Sequence, residues 1–297
     1  MKYLWAQWDK LEKHIADKFV LLFLDYDGTL TPIVKSPDKA LISKQTRDLL
    51  KKLSANPRCT IAIVTGRAAK DIKDKIGIRN ITYASNHGFQ IEGPKIRFTV
   101  SVPSDYRKVL RKIKSDLKKT FRPVKGVFLE DKGLSLSVHY RLVRGRLVPF
   151  VVWALLKIAT PYVREKKIVI TLGKKVFEVR PPIEWNKGNA ILWLLNKHKS
   201  ALRHKPIMPV YIGDDVTDED AFRVLKNKGL TVFVGNPQKS DAKYYLKNTK
   251  EVSKFLKWLN ALPIPWGARQ VCRYKNCSPI GKIRIIFRNL PRKESIL

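Results

Sequence analysis

The stretch "LLFLDYDGTL" (residues 21–30) decides the reading of this chain. Leu21, Leu22, Phe23 and Leu24 suit a strand buried on both faces, as in a parallel sheet covered by helices. Asp25 and Asp27 follow without a pause, and carboxylates do not belong in such a core. They do belong beyond the carboxyl end of a strand, where open parallel sheets bind ligands. Two residues apart in extended chain, their side chains leave on the same side. Gly28 then permits a sharp departure, and Thr29 is placed to cap whatever follows. Two carboxylates so close repel, so one ionises while the other keeps a raised pKa, and a bound cation would settle which.

Outward from this strand the pattern alternates. A helix is predicted after Ser43, a strand at "TIAIVTG", a helix from Ala68 and a short strand at "ITYAS". "FQIEGPKIRFTV" reads as a hairpin turning at Gly93 and Pro94. Alternation resumes with a helix over 189–198, strand "MPVYIGDD", a helix over 218–228, strand "LTVFVG" and a last helix near 251–261. This is the signature of an α/β fold with a doubly wound, mostly parallel Rossmann-like sheet.

The interruption, roughly 103–182, has its own order: a helix and two strands, twice. Such an αββαββ unit makes a small α+β sheet with helices on one face. Strand period then sorts its side chains. Leu134, Leu136, Val138 and Tyr140 point one way; Ser135, Ser137, His139 and Arg141 point the other. Glu130, Lys132, Arg141, Lys174 and Glu178 are thereby predicted on one open face, a set suited to a polyhydroxylated ligand. The expected division is a core of 1–102 and 183–262, an inserted domain of 103–182, and a basic tail of 263–297 whose role is unreadable. Trp153, Trp193 and Trp258 fall on apolar helix faces and read as core.

At 297 residues and 44% hydrophobic, the chain has room for two buried interiors. Sixty Lys+Arg against 25 Asp+Glu leave a net charge of +35. That balance favours anionic partners: a phosphorylated small molecule, nucleic acid or an acidic membrane surface. Runs such as "RKVLRKIKSDLKK" read as solvated helix faces, and no motif of a nucleic-acid module appears. Cys59, Cys272 and Cys277 are odd in number and lack the companions of a structural zinc site, which suggests a reducing compartment. The first residues do not resemble a signal peptide, and no apolar stretch reads as long enough to span a bilayer. A soluble, cytoplasmic protein with no membrane partner is expected.

The remaining chemistry sits at further strand ends. "VTGR" offers the Thr65 hydroxyl, Gly66 for close backbone approach, and Arg67 opening a helix whose N-terminus favours an anion. "EWNKGNA" puts Lys187 beside another helix start, and "YIGDDVTDEDAF" ends a strand in Asp214 and Asp215, with Asp218 entering the next helix. Acidic residues at two strand ends can hold magnesium, which takes hard oxygen ligands; Thr65 and Lys187 can hold phosphate oxygens.

In this order "DYDGT", "VTGR", Lys187 and "GDD" resemble the four successive motifs of the haloacid dehalogenase superfamily of phosphohydrolases, and the insert resembles that superfamily's larger sugar-phosphatase cap. More narrowly, "SNHGFQIEGP", "FLEDKGLSLSVHYR", "GKKVFEVRPPIEWNKG" and "GDDVTDEDAF" resemble its trehalose-6-phosphate phosphatase family, over about residues 19–262. The resemblance implies a magnesium-dependent phosphatase of trehalose biosynthesis, working through an aspartyl-phosphate on a phosphorylated disaccharide. It makes Asp25 the nucleophile and Asp27 the general acid and then base. Magnesium would be held by Asp25, the backbone carbonyl of Asp27 and Asp214. Thr65 and Lys187 would bind the phosphoryl group, and Asp215 and Asp218 would support metal and lysine from behind. Glu130, Lys132, Arg141, Lys174 and Glu178 would grip the sugar, with Arg67, Asn86 and His87 at the rim. The core motifs alone leave sucrose phosphate and mannosyl-phosphoglycerate as alternative substrates. The charge and tail leave a more distant one, a nucleic-acid-associated protein on a phosphatase fold.

Overall fold

A computed structural model describes residues 1–34, 36–173, 175–202, 206–237 and 239–262. Strand β1 (Lys2–Tyr3) and helix α1 (Trp8–Ile15) come first, followed by β2 (Phe19–Leu24), α2 (Lys44–Ala55), β3 (Cys59–Val64), α3 (Ala69–Ile76) and β4 (Thr82–Ser85). The hairpin β5 (Gln90–Gly93) and β6 (Ile96–Thr99) precedes α4 (Tyr106–Thr120), β7 (Phe128–Asp131), β8 (Leu136–His139), α5 (Val148–Arg164), β9 (Val169–Gly173) and β10 (Val176–Arg180). The chain returns through α6 (Lys187–Ala201), β11 (Ile207–Gly213), α7 (Glu219–Leu225), β12 (Leu230–Val234), β13 (Tyr244–Leu246) and α8 (Thr249–Ala261).

Among the described residues nine strands form one sheet in the order β1-β13-β12-β11-β2-β3-β4-β5-β6. It is parallel from β1 to β4 and antiparallel across the β4-β5-β6 edge. β2 lies near the middle, and the alternation of its side chains builds both layers around it. Val20, Leu22 and Leu24 pack with Ile15 of α1, Leu50 of α2, Ile72 of α3 and Phe255 of α8. Leu21 and Phe23 pack with Ile191 and Leu194 of α6 and Phe222 of α7. Truncating one such buried leucine to alanine costs about 2–5 kcal/mol.

Four strands make the second sheet, β7-β8-β10-β9, antiparallel throughout. Leu136, Val138 and Val179 turn one face to a separate core with Ile113 and Leu117 of α4 and Val151 and Leu155 of α5. The other face carries Glu130, Lys132, Ser137, His139 and Glu178 into the cleft above the first sheet.

The structure departs from the sequence reading in four places. β1, α1 and β13 were absent from it, because strands of two or three residues carry no periodic signal and the N-terminal helix lies ahead of the first alternating unit. Thr29 caps no helix: at Gly28 (φ +81°) the chain doubles back, and the Gly28 amide donates to the Thr31 carbonyl at 2.7 Å. Trp153 is exposed, whereas Trp193 and Trp258 are half-buried against the core. Finally, among the described residues one helical segment of 20 residues, Gly145–Arg164, is long and apolar enough to cross a membrane by length and composition, its most apolar 18-residue stretch having a mean hydropathy of 1.4. Arg146 and Lys157 interrupt its apolar run in the sequence, yet the folded helix is continuous, and Val151, Ala154, Leu155 and Ala159 are buried in the cap core.

Candidate active site

The carboxyl ends of β2, β3 and β11 meet the N-terminus of α6 at the mouth of the cleft. Local sequence aims Lys187 there. Asn186 caps α6 by accepting from the Asn189 amide, and the Asn189 side chain accepts from the Asn186 amide, a reciprocal box that fixes the first turn. Gly188 lies so close to the Asp220 carbonyl that a Cβ would come within 2.6 Å of it. Lys187 Nζ then reaches Asp25 Oδ1 at 2.9 Å and Asp218 Oδ1 at 2.7 Å, with all three side chains buried.

Asp218 is a fully used acceptor. Its Oδ1 takes bonds from Lys187 and the Tyr211 hydroxyl, and its Oδ2 takes the amides of Asp214 and Asp215. Burial raises the Asp25 pKa well above the ordinary carboxylate range; Lys187 offsets part of this, while Asp218 and Asp214 add to it. Burial works against the Lys187 charge as well, but its bonds to Asp218 and Asp25 outweigh burial and raise its pKa.

Carboxylate oxygens of Asp25, Asp214 and Asp218 lie within 4.8 Å of one another. Because Asp218 already accepts four hydrogen bonds, Asp25 and Asp214 are the pair suited to a cation, and their hard oxygen donors fit a divalent metal ion. Gly28 lets the backbone lie directly against the Asp214 carboxylate, with which a Cβ would collide.

Thr65 follows the last residue of β3, and its Oγ1 accepts the Arg67 amide at 3.2 Å and so keeps its own hydrogen to donate. Gly66 is required because a Cβ would run into the His87 ring. Arg67 lies below the rim rather than on it. It is 6% exposed, bonds both oxygens of Asp27 at 2.7 Å, and also donates to Asp71 and the Pro37 carbonyl.

Asn86 and His87 hold left-handed backbone, φ 53° and 57°, and both face the cap. Asn86 accepts from the Ser135 hydroxyl at 2.7 Å and donates to the Lys132 carbonyl at 3.3 Å. His87 Nε2 meets Glu178 Oε2 at 2.7 Å. The cap face is therefore charged but not open. Glu178 also accepts from Lys132 and lies 2.8 Å from the Ser135 hydroxyl, whose single hydrogen it shares with Asn86; His139 pairs with Glu130 at 2.9 Å, and Lys132 stands 4.0 Å from Glu130. Burial opposes the Glu178 charge, but His87 and Lys132 hold its pKa well below the usual range. Arg141 is exposed on the cleft wall. Lys174 and the tail from 263 lie outside the described residues.

Asp25, Asp27, Thr65, Lys187 and Asp214 thus gather at one end of a cleft of about 900 Å³, with Glu130, Lys132, Arg141 and Glu178 at the other. Asp71, Tyr211 and Arg180 belong to the same surroundings and were not singled out in the sequence. Asp71 had a signal, four residues after Arg67 on α3; Tyr211 had none.

A parallel α/β sheet with acidic strand ends beneath an antiparallel cap defines a capped hydrolase of the haloacid dehalogenase class. A haloacid dehalogenase-like hydrolase from Bacteroides thetaiotaomicron shares this fold, with TM-score 0.58, 16% identity, and 82% of this chain and 100% of that one covered. The trehalose-phosphatase family profile matches residues 23–252, and the chain belongs to that family. It is 35% identical to trehalose-phosphate phosphatase B of Arabidopsis thaliana over 263 residues, covering 84% of this chain and 69% of that protein. It is 33% identical to trehalose 6-phosphate phosphatase RA3 of Zea mays, covering 86% and 73%. The C-terminal domain of C. albicans trehalose-6-phosphate phosphatase superposes with TM-score 0.70 at 28% identity, covering 83% and 94%. The protein is accordingly a phosphoric monoester hydrolase.

Proposed function

We propose that the protein hydrolyses trehalose-6-phosphate to trehalose and inorganic phosphate, with residues 1–102 and 183–262 as the hydrolase core and 103–182 as the cap that reads the sugar. The observation that carries this reading is the buried Lys187 bridging Asp25 and Asp218 at the floor of a cleft whose far wall is the charged cap face. Asp25 and Asp214, with the Asp27 carbonyl, would hold the magnesium ion. When bound, the ion neutralises phosphoryl charge and favours the ionised form of Asp25.

Asp25 attacks phosphorus in line: its oxygen forms the new bond as the bond to the sugar oxygen breaks. Lys187 and the Thr65 hydroxyl hold the phosphoryl oxygens, where charge accumulates in the transition state. Asp27 gives its proton to the departing sugar oxygen. It then takes a proton from water, whose oxygen displaces Asp25 and releases phosphate. Sugar hydroxyls bridging Glu130, Lys132 and Glu178 would hold the cap over the site, so remote binding contributes to rate. Phosphate release from a panel of sugar phosphates, with and without chelator, tests this. Trehalose-6-phosphate should be preferred over sucrose phosphate, and activity should vanish on chelation and in Asp25→Asn. Activity indifferent to both treatments would remove the mechanism.

A further inference from the structure

On the side of the cap sheet away from the cleft, α4 and α5 pack against each other over the cap core. The buried residues of α5, Val151, Ala154, Leu155 and Ala159, occupy one side of the helix. The opposite side carries Phe150, Trp153 and Leu156, exposed by 38, 54 and 48%, together with the exposed Lys157 and Arg164, and Val163, exposed by 39%, flanks it. Phe150 and Trp153 lie with ring centroids 5.8 Å apart, and Lys157 Nζ sits 4.8 Å from the Trp153 ring centre. A surface helix ordinarily puts polar residues there, and large apolar side chains exposed together, here with two aromatic rings in contact, mark an interaction surface.

Beside this ridge, α4 exposes Arg107, Lys108, Arg111, Lys112, Lys118 and Lys119. Among the described residues only Lys112 of these six has a carboxylate partner, Asp116. The run therefore presents largely uncompensated positive charge next to aromatic and aliphatic side chains. A partner that matches both must be anionic and also accept apolar side chains.

We infer that the α4–α5 face docks this protein on an anionic lipid surface. α5 lies along the surface, held there because its other side belongs to the cap core, with Phe150, Trp153 and Leu156 entering the headgroup layer. The α4 cations meet lipid phosphates and carboxylates. An apolar contact and a polybasic contact together supply the two signals that stable peripheral binding requires. Nucleic acid would use the α4 cations but has no comparable place for Leu156 and Val163. Because the catalytic cleft opens on the other face of the cap sheet, docking leaves it accessible.

The full-length protein is floated with phosphatidylcholine vesicles, with and without about one-third phosphatidylserine, at about 0.15 M salt. Vesicles containing phosphatidylserine should bind at least about tenfold more tightly than neutral ones. Phe150→Ser/Trp153→Ser and, separately, Arg111→Glu/Lys118→Glu should each weaken that binding about tenfold or more, with phosphate release unchanged. No binding to the anionic vesicles overturns the inference. So does binding that survives both variants, which would assign it to positive charge elsewhere on the chain. Single-stranded RNA binding that the variants abolish, with no vesicle binding, would reassign the face to nucleic acid.

Discussion

Arg67 holds both carboxylate oxygens of Asp27, Nε donating to Oδ2 and Nη2 to Oδ1, each at 2.7 Å. The Arg67 side chain is 7% exposed and that of Asp27 is 44% exposed, so the buried guanidinium anchors the accessible carboxylate. Burial opposes the Arg67 charge, but hydrogen bonds to Asp27 and Asp71 outweigh it and raise its pKa. Each Asp27 oxygen keeps a second lone pair that can carry a proton to a leaving oxygen. Arg67 therefore sets where the acid waits. Arg67→Lys, which cannot supply the planar fork, should lower kcat about tenfold or more with a smaller change in KM. A change confined to KM would make Arg67 a sugar contact instead.

Lys187→Met removes the cation between Asp25 and Asp218. Leaving buried carboxylates unpaired costs about 3–5 kcal/mol, so a clear drop in melting temperature should accompany a loss of at least about a hundredfold in kcat. Thermal melting and steady-state phosphate release on the same preparation separate the two effects. A stable variant with near-normal kcat would remove Lys187 from the reaction.

Gly28→Ala should be more damaging than its single methyl suggests. The residue has φ +81°, and its Cβ would collide with the Asp214 carboxylate. Displacing that carboxylate should weaken magnesium binding about tenfold or more, measurable by calorimetry without substrate. Unchanged affinity would show that Asp214 does not hold the ion.

The cap-to-core pair between His87 and Glu178 carries a pH dependence. Burial lowers the His87 pKa, so its ring gains charge only as pH falls; Lys132, with His87 once protonated, keeps the folded Glu178 pKa well below its ordinary value of 4.5 despite burial, so the unfolded chain takes up the Glu178 proton first as pH falls. The stabilisation is complete above about pH 4.5 and is lost as pH drops further toward the folded pKa. Glu178→Gln should thus cost about 3 kcal/mol at neutral pH, with a deficit that shrinks only under acid conditions. Melting curves from pH 7 to pH 3 check this, and a deficit constant throughout would contradict it.

Residues whose surroundings are local were legible before folding. Asp25, Thr65 and Asp214 each end a run of apolar residues, so periodicity alone placed them at strand ends. Lys187 was placed by a helix start two residues from Asn189. The inward face of the cap was legible too, since Ser135, Ser137 and His139 alternate with Leu136 and Val138. Arg67 was not, because its partner Asp27 lies 40 positions away, and nothing local shows that a guanidinium beside a helix start points down rather than out. Trp153 was misread because amphipathic spacing shows that a helix has two sides, not which of them finds a core.

The chain by itself determined the alternating α/β order, the inserted αββαββ unit and the acidic strand ends, because side-chain period and glycine placement act over a few residues. Only the tertiary structure decided which charges meet. The Lys187 bridge spans 162 positions to Asp25, and the cap reaches the core through His87 and Glu178. Apolar burial sets the positions of strands and helices, and ion pairs of such separation exist only once that packing brings them within hydrogen-bond distance.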